Sequence, residues 1–202
     1  MLFRSSVFGQ SLANGPVGVR DGSGTERLAE VLAGSATQLN LQISPDAALG
    51  TARVNSSGQS GDVTLLRVLP GLFAANANGQ GPAAATAVHV RADGSLASEF
   101  TFRCGSTAGS CANIPIELGP LEEQVVLTLY GTGWRNITKL SDVVVTIGGE
   151  RAEVLFAGAQ PSFLGLDQIN VRIPRTLAGR GEVSITVVAD GKISNPVSIH
   201  VQ

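Results

Sequence analysis

The segment from Val125 to Pro174 restricts the possible folds more than any other part of the chain. It opens with VVLTLYGTGW, in which the apolar residues Val125, Leu127 and Leu129 follow the two-residue period of a strand with one buried face. The run VVVTI at 143–147 is β-branched at every position, which disfavours a helix and suits a pleated sheet. Gly148-Gly149 follows, a pair able to adopt positive φ at both central positions of a type I′ turn. The segment therefore predicts successive β-strands and a tight hairpin.

An earlier part of the chain repeats this pattern. Three pairs of segments align in the same order: 7–12 with 129–134, 30–32 with 153–155, and 38–43 with 168–173. After the proline that follows the third pair, Leu49-Gly50 matches Ala178-Gly179, and a strand pattern follows in both copies. Two copies of a strand-rich unit with closely spaced turns predict two β-sandwiches in tandem rather than one barrel.

The segment between the copies has a different composition. Asn76–Ala87 reads NANGQGPAAATA, which is small and polar and predicts a linker. By contrast, Val88–Val90 and Phe100–Phe102 flank Asp93-Gly94, which is typical of a hairpin. We expect this hairpin to pack on the second sandwich, because a free tether would not be expected to carry the phenylalanines.

At this point the residues resemble a known family. YGTGW, then VVVTIGGERAEVL, then QINVRIP resemble the IPT/TIG class of immunoglobulin-like domains. More closely, they resemble tandem repeats at the C-terminal ends of large secreted bacterial proteins, where these patterns recur and PGLF stands between copies, as at 70–73 here. The resemblance covers nearly the whole chain and is most specific at 117–202. It implies a cell-surface or extracellular module and assigns no activity to particular residues.

The expected fold class is therefore all-β, with two immunoglobulin-like β-sandwiches in tandem joined by a Gly/Ala-rich linker and a β-hairpin. The expected parts are a first sandwich at 1–70, whose first strand is expected to be missing, a linker with hairpin and cysteine loop at 71–116, and an IPT/TIG-type sandwich at 117–202.

Composition argues against two classes of partner. The net charge of −2 over 202 residues provides no basic stripe to attract nucleic-acid phosphates, and aromatic residues make up only 4%. Hydrophobic residues make up 43%, enough for a core, yet no apolar run is long enough to cross a membrane as a helix. No charged-then-apolar leader follows Met1. Two interpretations remain: an excised or processed portion of a longer secreted protein, or a chain that never leaves the cytoplasm.

Two cysteines bear on the compartment. Cys104 and Cys111 bracket the flexible loop GSTAGS. A disulfide there would contribute about 2–3 kcal/mol in the loop-entropy description and would indicate an oxidising compartment; two free thiols are the alternative. A structural zinc site needs four ligands, and the two histidines lie far away in sequence, so we expect no metal.

No set of residues predicts an enzyme. His89 and His200 alternate with apolar neighbours as surface residues on strands would, and no G-x-S-x-G motif occurs. Gly131-Thr132-Gly133 lacks the third glycine and the helix of a dinucleotide site. Asp21–Gly24 lacks the further carboxylates of a calcium loop. Trp134 has two interpretations, a sugar platform or a packing residue. We expect no catalytic residues, cofactor or metal.

The expected function is a non-catalytic extracellular or cell-surface module for structure or adhesion. The first copy lacks a counterpart to 117–125, which predicts an unpaired sheet edge. A strand donated by a neighbouring copy would complete the edge and build a filament, with Leu2, Phe3, Val7 and Phe8 as the candidate assembly strand. The competing interpretation is a fragment cut from its upstream partner. The expected partners are other copies or neighbouring domains of a longer chain. A carbohydrate-binding accessory module of a secreted enzyme, with surface polysaccharide as its partner, is the alternative function.

Overall fold

A computed structural model of the protein describes residues 3–12 and 15–202. These residues are almost all in strands and turns, with two single-turn 3₁₀ helices at Leu140–Asp142 and Arg175–Leu177. The prediction of an all-β protein is confirmed. The chain divides into two compact units. Unit 1 comprises the residues up to Arg67 together with Phe163–Gly165, and unit 2 comprises Val68–Ser162 and Leu166–Gln202. No helix within the described residues has the length and hydropathy to cross a membrane.

Unit 1 is a two-layer sandwich. Its strands are β1 (Phe3–Phe8), β2 (Val17–Arg20), β3 (Glu26–Gly34), β4 (Gln38–Ile43), β5 (Gly50–Ser56) and β6 (Gln59–Leu65). Their hydrogen-bonded order is β1-β4-β3-β2-β5-β6. β3 takes part in both layers, because its first half pairs with β2 and its second half pairs with β4.

The core of unit 1 lies between the layers and follows the alternation of the sequence. In β4 the side chains of Leu39, Leu41 and Ile43 are all buried, whereas those of Gln38 and Asn40 are partly exposed. Each buried side chain of this size contributes about 1.5–3 kcal/mol relative to an exposed one. The period-two pattern in the sequence therefore specifies which face of β4 is buried.

Unit 2 is a larger sandwich of the same kind. Its strands are β7 (Gly71–Leu72), β8 (Ala85–Val90), β9 (Leu96–Phe100), β10 (Phe102–Cys104), β11 (Cys111–Asn113), β12 (Pro115–Ile116), β13 (Gln124–Thr132), β14 (Val143–Ile147), β15 (Glu150–Ala159), β16 (Asp167–Arg172), β17 (Gly181–Ala189), β18 (Lys192–Ile193) and β19 (Val197–Val201). The order is β12-β19-β17-β14-β15-β16-β13-β8-β9, with β7 also beside β13 and β18 beside β17. β10 and β11 form a separate two-stranded ladder.

The segment predicted as a linker is part of the core of unit 2. Ala83, Ala85 and Ala87 are each no more than 1% exposed, and β8 pairs antiparallel with β13. Alanine-rich sequence has the composition of a flexible connection, but Ala85 and Ala87, at alternate positions of β8, put small methyl groups on one face of a strand. The last residues of the expected linker at 76–87, from Ala85 onward, are therefore part of strand β8, which covers the edge of β13.

The hairpin predicted around Asp93-Gly94 is formed by β8 and β9 and joins unit 2 through β13. Residues 71–116 all belong to unit 2, and the main division of the chain lies between Arg67 and Val68. The sequence had suggested two boundaries, at 70 and 116.

The turn after β2 is organised around the carboxylate of Asp21. Its Oδ1 accepts hydrogen bonds from the Ser23 hydroxyl at 2.6 Å and from the Ser23 and Thr25 backbone N–H groups. Its Oδ2 accepts from the Ala48 backbone N–H at 2.9 Å and pairs with the Arg27 guanidinium. The Ser23 hydroxyl and then the Ala48 N–H hold the pKa of Asp21 well below its usual range. These contacts let the Asp21 carboxylate fix the conformation of the turn.

We expect Asp21 to make unit 1 sensitive to acid. Because its folded pKa is depressed, its stabilisation is fully present above the unfolded-state value of about 3.9 and is lost as pH falls toward the folded value. Asp21→Asn should lower the stability of unit 1 at pH 7 and flatten the dependence of that stability on pH below about 4. Amide hydrogen exchange in β2 and β4, followed against pH, measures the stability of unit 1 at each pH. Asp62→Asn, at an exposed ion pair with Arg53, is the matched control, and equal pH profiles for wild type and Asp21→Asn would contradict the prediction.

Candidate functional site at the free edge of strand β1

β1 of unit 1 and β13 of unit 2 occupy the same place in their sandwiches. On β1, Val7 lies opposite Leu39; on β13, the aligned Leu129 lies opposite the aligned Ile169. Both pairings are antiparallel and in the same register. Equivalent positions can therefore be compared residue by residue.

The match extends to irregular features. The second half of β3 has a register shift between Val31 and Ala33, and β15 has one at the equivalent place, between Val154 and Phe156. The amide of Gln38 donates to Asn40 Oδ1 at 3.1 Å, and in unit 2 Gln168 donates to Asn170 Oδ1 at 2.8 Å. A β-bulge and a side-chain hydrogen bond at equivalent positions indicate that the two units share the same fold in detail.

The chain leaves β1 and β13 through the same turn. A Cβ atom built on Gly131 would lie 2.3 Å from Cη2 of Trp134, and one built on Gly9 would lie 3.1 Å from Cδ2 of Leu12. Trp134 and Leu12 are both buried, and each folds back over the glycine three residues before it. Leu12 therefore stands in unit 1 where the larger Trp134 stands in unit 2.

The two units differ on the outer side of these strands. β13 pairs with β16 on one side and with β8 and β7 on the other. Within residues 3–12 and 15–202, β1 pairs with β4 alone and ends its sheet. The opposite layer differs too, because β12 runs parallel to β19 in unit 2 and buries Ile116, whereas β6 is the last strand of its sheet in unit 1. In unit 2 the strands β7 and β8 cover the edge of β13, and β12 covers the edge of β19. These covering strands have no equivalents among the described strands of unit 1.

A cavity opens in unit 1 beside the free edge of β1. Its volume is about 130 Å³. Its lining among the described residues comes from β1, from the turn after it and from β5 and β6, and includes Val7, Phe8, Leu12, Val54 and Val63. Phe8, at its rim, is 72% exposed. The free edge of β1 together with this cavity is called the acceptor edge below.

The candidate assembly residues have different environments. Leu2 lies outside the described residues. The backbone of Phe3 pairs with Ile43 in β1. Val7 is partly buried against the core of unit 1, whereas Phe8 is exposed. The acceptor edge also includes Leu12, which sequence reasoning missed; its alignment with Trp134 was the available signal.

The predicted disulfide is present. Cys104 and Cys111 are joined by a disulfide bond and lie opposite each other in the β10–β11 ladder. The bond closes the loop between these two short strands of unit 2.

The two histidines lie on different strands of unit 2, β8 and β19. Nε2 of His89 on β8 lies 3.0 Å from Oε1 of Glu99 on the neighbouring β9. His200, on β19, lies opposite Glu182 and Pro115 in the strand register. In the part of the chain that the structure describes, no three His, Cys, Asp or Glu side chains are grouped as metal ligands.

Trp134 is a packing residue. It is completely buried, its indole N–H donates to the Gln168 carbonyl at 3.2 Å, and its backbone N–H donates to Asp167 Oδ2 at 3.0 Å. Burial raises the pKa of Asp167, while the neighbouring Arg135 opposes this shift. No face of the indole is available for stacking on a sugar.

Part of unit 2 matches a known protein family. Residues 115–201 match the IPT/TIG domain. The match begins at β12 and ends in β19, so the covering strands β7 and β8 precede it. The resemblance stated from sequence for 117–202 is thereby confirmed. IPT/TIG domains are immunoglobulin-like modules and are typically non-catalytic. A search of curated proteins found no match to the chain.

Proposed function

We propose that the chain is a non-catalytic structural and adhesion module of the cell surface or extracellular space, which self-assembles by accepting a β-strand from a neighbouring copy at the acceptor edge. The observation that carries the proposal is the contrast between β1, which ends its sheet, and its equivalent β13, which is paired on both sides. An unpaired strand edge is a template for pairing with another chain.

The disulfide supports the proposed location. Structural disulfides persist in oxidising compartments and are rare in the cytosol. The Cys104–Cys111 bond therefore favours secretion over the cytoplasmic alternative.

The carbohydrate-binding alternative has less support. Such modules stack sugars on a row of exposed aromatic rings. The sole tryptophan of the chain is buried, and the most exposed of the described phenylalanine side chains, Phe8, Phe100 and Phe163, lie on separate segments of the chain. A strand-pairing role depends instead on backbone groups, which β1 presents whatever its side chains.

We expect self-association that depends on β1. The wild-type chain at hundreds of micromolar should sediment as species larger than one chain and form linear particles in electron micrographs. The double variant Ser6→Lys/Phe8→Lys places two lysines on the exposed positions of β1, and edge lysines oppose strand pairing. Its sedimentation should be that of a single chain at every concentration.

Thr51→Lys is the control, because Thr51 is also exposed but belongs to β5, which is paired on both sides. This variant should assemble as the wild type does. A wild-type chain that remains single at all concentrations, or assembly that survives the double substitution, would refute self-assembly at this edge.

A further inference from the structure

Unit 2 shows what kind of strand fits beside β13. Ala85 of β8 lies opposite Leu129 of β13, and the two strands run antiparallel. Both side chains are no more than 1% exposed. Since residues opposite each other share a face of the sheet, Ala85 points into the core beside Leu129. The equivalent place in unit 1 is the one opposite Val7.

Unit 1 has more room at this place than unit 2. Val7 stands where unit 2 has Leu129, and Leu12 stands where unit 2 has Trp134. The 130 Å³ cavity touches both smaller residues. Its volume is close to the ~150 Å³ of an engineered apolar cavity that binds benzene. It therefore has space for a branched aliphatic side chain at the place where β8 has only the methyl group of Ala85.

The surroundings of the cavity fix the other requirements on such a strand. The inner lining is aliphatic, from Val54 and Val63, which belong to or pack on the core of unit 1. The rim on β6 is polar, with Gln59, Ser60 and Asp62. A strand lying along this opening would present an apolar side chain inward and polar side chains at the alternate, outward positions.

We propose that the acceptor edge binds an extended polypeptide strand that runs antiparallel to β1 and places a branched aliphatic side chain opposite Val7. The partner is a segment of another polypeptide whose backbone pairs with β1 and whose aliphatic side chain fills the cavity. The inference rests on the proposed function in that both use the same edge, but it specifies the chemistry of the accepted strand.

The test uses the full chain and three synthetic peptides based on residues 81–90, GPAAATAVHV. The first has the natural sequence, the second carries Ala85→Leu and the third carries Ala85→Lys. We expect the leucine peptide to slow amide exchange in β1 and to bind at least about tenfold more tightly than the natural peptide, because three more carbon atoms are buried. The lysine peptide should not protect β1, because its charge would enter an apolar cavity.

The variant Leu12→Trp provides a second test, in which the cavity is filled by a side chain of unit 1 itself. It places in unit 1 the residue that unit 2 has at the equivalent position, so the new side chain should fill the cavity from within. The preference for the leucine peptide over the natural peptide should then fall to less than about threefold. If this variant does not fold, the three peptides on the wild-type chain decide the question by themselves.

The proposal is overturned if no peptide protects β1, if the lysine peptide binds as well as the leucine peptide, or if a folded Leu12→Trp chain keeps the full preference. These results are separate from those of the self-assembly test. A chain that sediments singly but binds the leucine peptide supports this inference while refuting self-assembly. A chain that assembles through β1 but ignores the peptides refutes this inference alone.

Discussion

Replacing Trp134 with alanine should lower the free energy of unfolding of unit 2 by about 3–5 kcal/mol, the usual cost of removing a buried aromatic side chain. The indole is completely buried and packs over Gly131, where a Cβ atom would come within 2.3 Å of it. Its loss would leave a cavity and would also remove the hydrogen bond to the Gln168 carbonyl. Loss of this partly buried hydrogen bond adds to the cost of the cavity.

The measurement must report on unit 2 alone, because two units need not unfold together. Amide exchange in β13 and β16 under native conditions meets this requirement. Leu121→Ala is the control, because Leu121 lies in the same unit and is 82% exposed, so its replacement should change the stability by no more than about 0.5 kcal/mol. A Trp134→Ala chain as stable as this control would show that the indole does not support the sandwich.

Much of the fold could be predicted from the sequence, because strand alternation and turn residues are local signals. The alternation in 38–43 and 168–173 indicated the buried faces of β4 and β16, and the repeat placed Val7 and Leu129 at equivalent positions, which the strand registers bear out. Gly148-Gly149 forms the hairpin turn with positive φ at both residues, 60° and 86°, as the glycine pair predicted.

The features that the sequence did not predict depend on contacts between segments that are distant along the chain. The sequence alignment pairs Gly50 with Gly179, but the strand registers make Gly50 equivalent to Gly181. Val19 and Ile147 occupy equivalent places in their hairpins. Val54 lies opposite Val19 and Ile185 lies opposite Ile147, so Val54 matches Ile185 and Gly50, four residues earlier, matches Gly181. Two glycines separated by one residue give an alignment no means of choosing between them. Local composition likewise made the segment around Ala85 look like a linker.

The acceptor edge was predicted only in part. An unpaired edge followed from the missing counterpart to 117–125, but β1 extends back to Phe3, so part of that counterpart is present. What unit 1 lacks among its described strands is an equivalent of β8. The cavity could not be predicted, because it depends on how the volume of Leu12 compares with the space left by β5 and β6.

The second large effect is expected at Gly133, where the covering segment of unit 2 approaches most closely. Gly133 has φ of +90°, and a Cβ atom there would lie 1.8 Å from the Leu69 carbonyl oxygen. Gly133→Ala should therefore combine left-handed strain with a backbone clash and lower the free energy of unfolding of unit 2 by about 2–6 kcal/mol. Amide exchange in β13 measures the loss.

Gly149→Ala is the matched control for backbone strain. Gly149 has nearly the same φ, +86°, but its Cβ position has no neighbour within 4 Å, so this change should cost only about 1–2 kcal/mol. Ser11, aligned with Gly133, already carries a side chain at φ of +56° in unit 1, and Ser11→Ala should be nearly neutral there. Equal losses at Gly133 and Gly149 would contradict the clash with Leu69. A much larger loss at Gly133 would mean that the glycine is required by the segment that covers β13, the kind of segment that the free edge of β1 is proposed to accept.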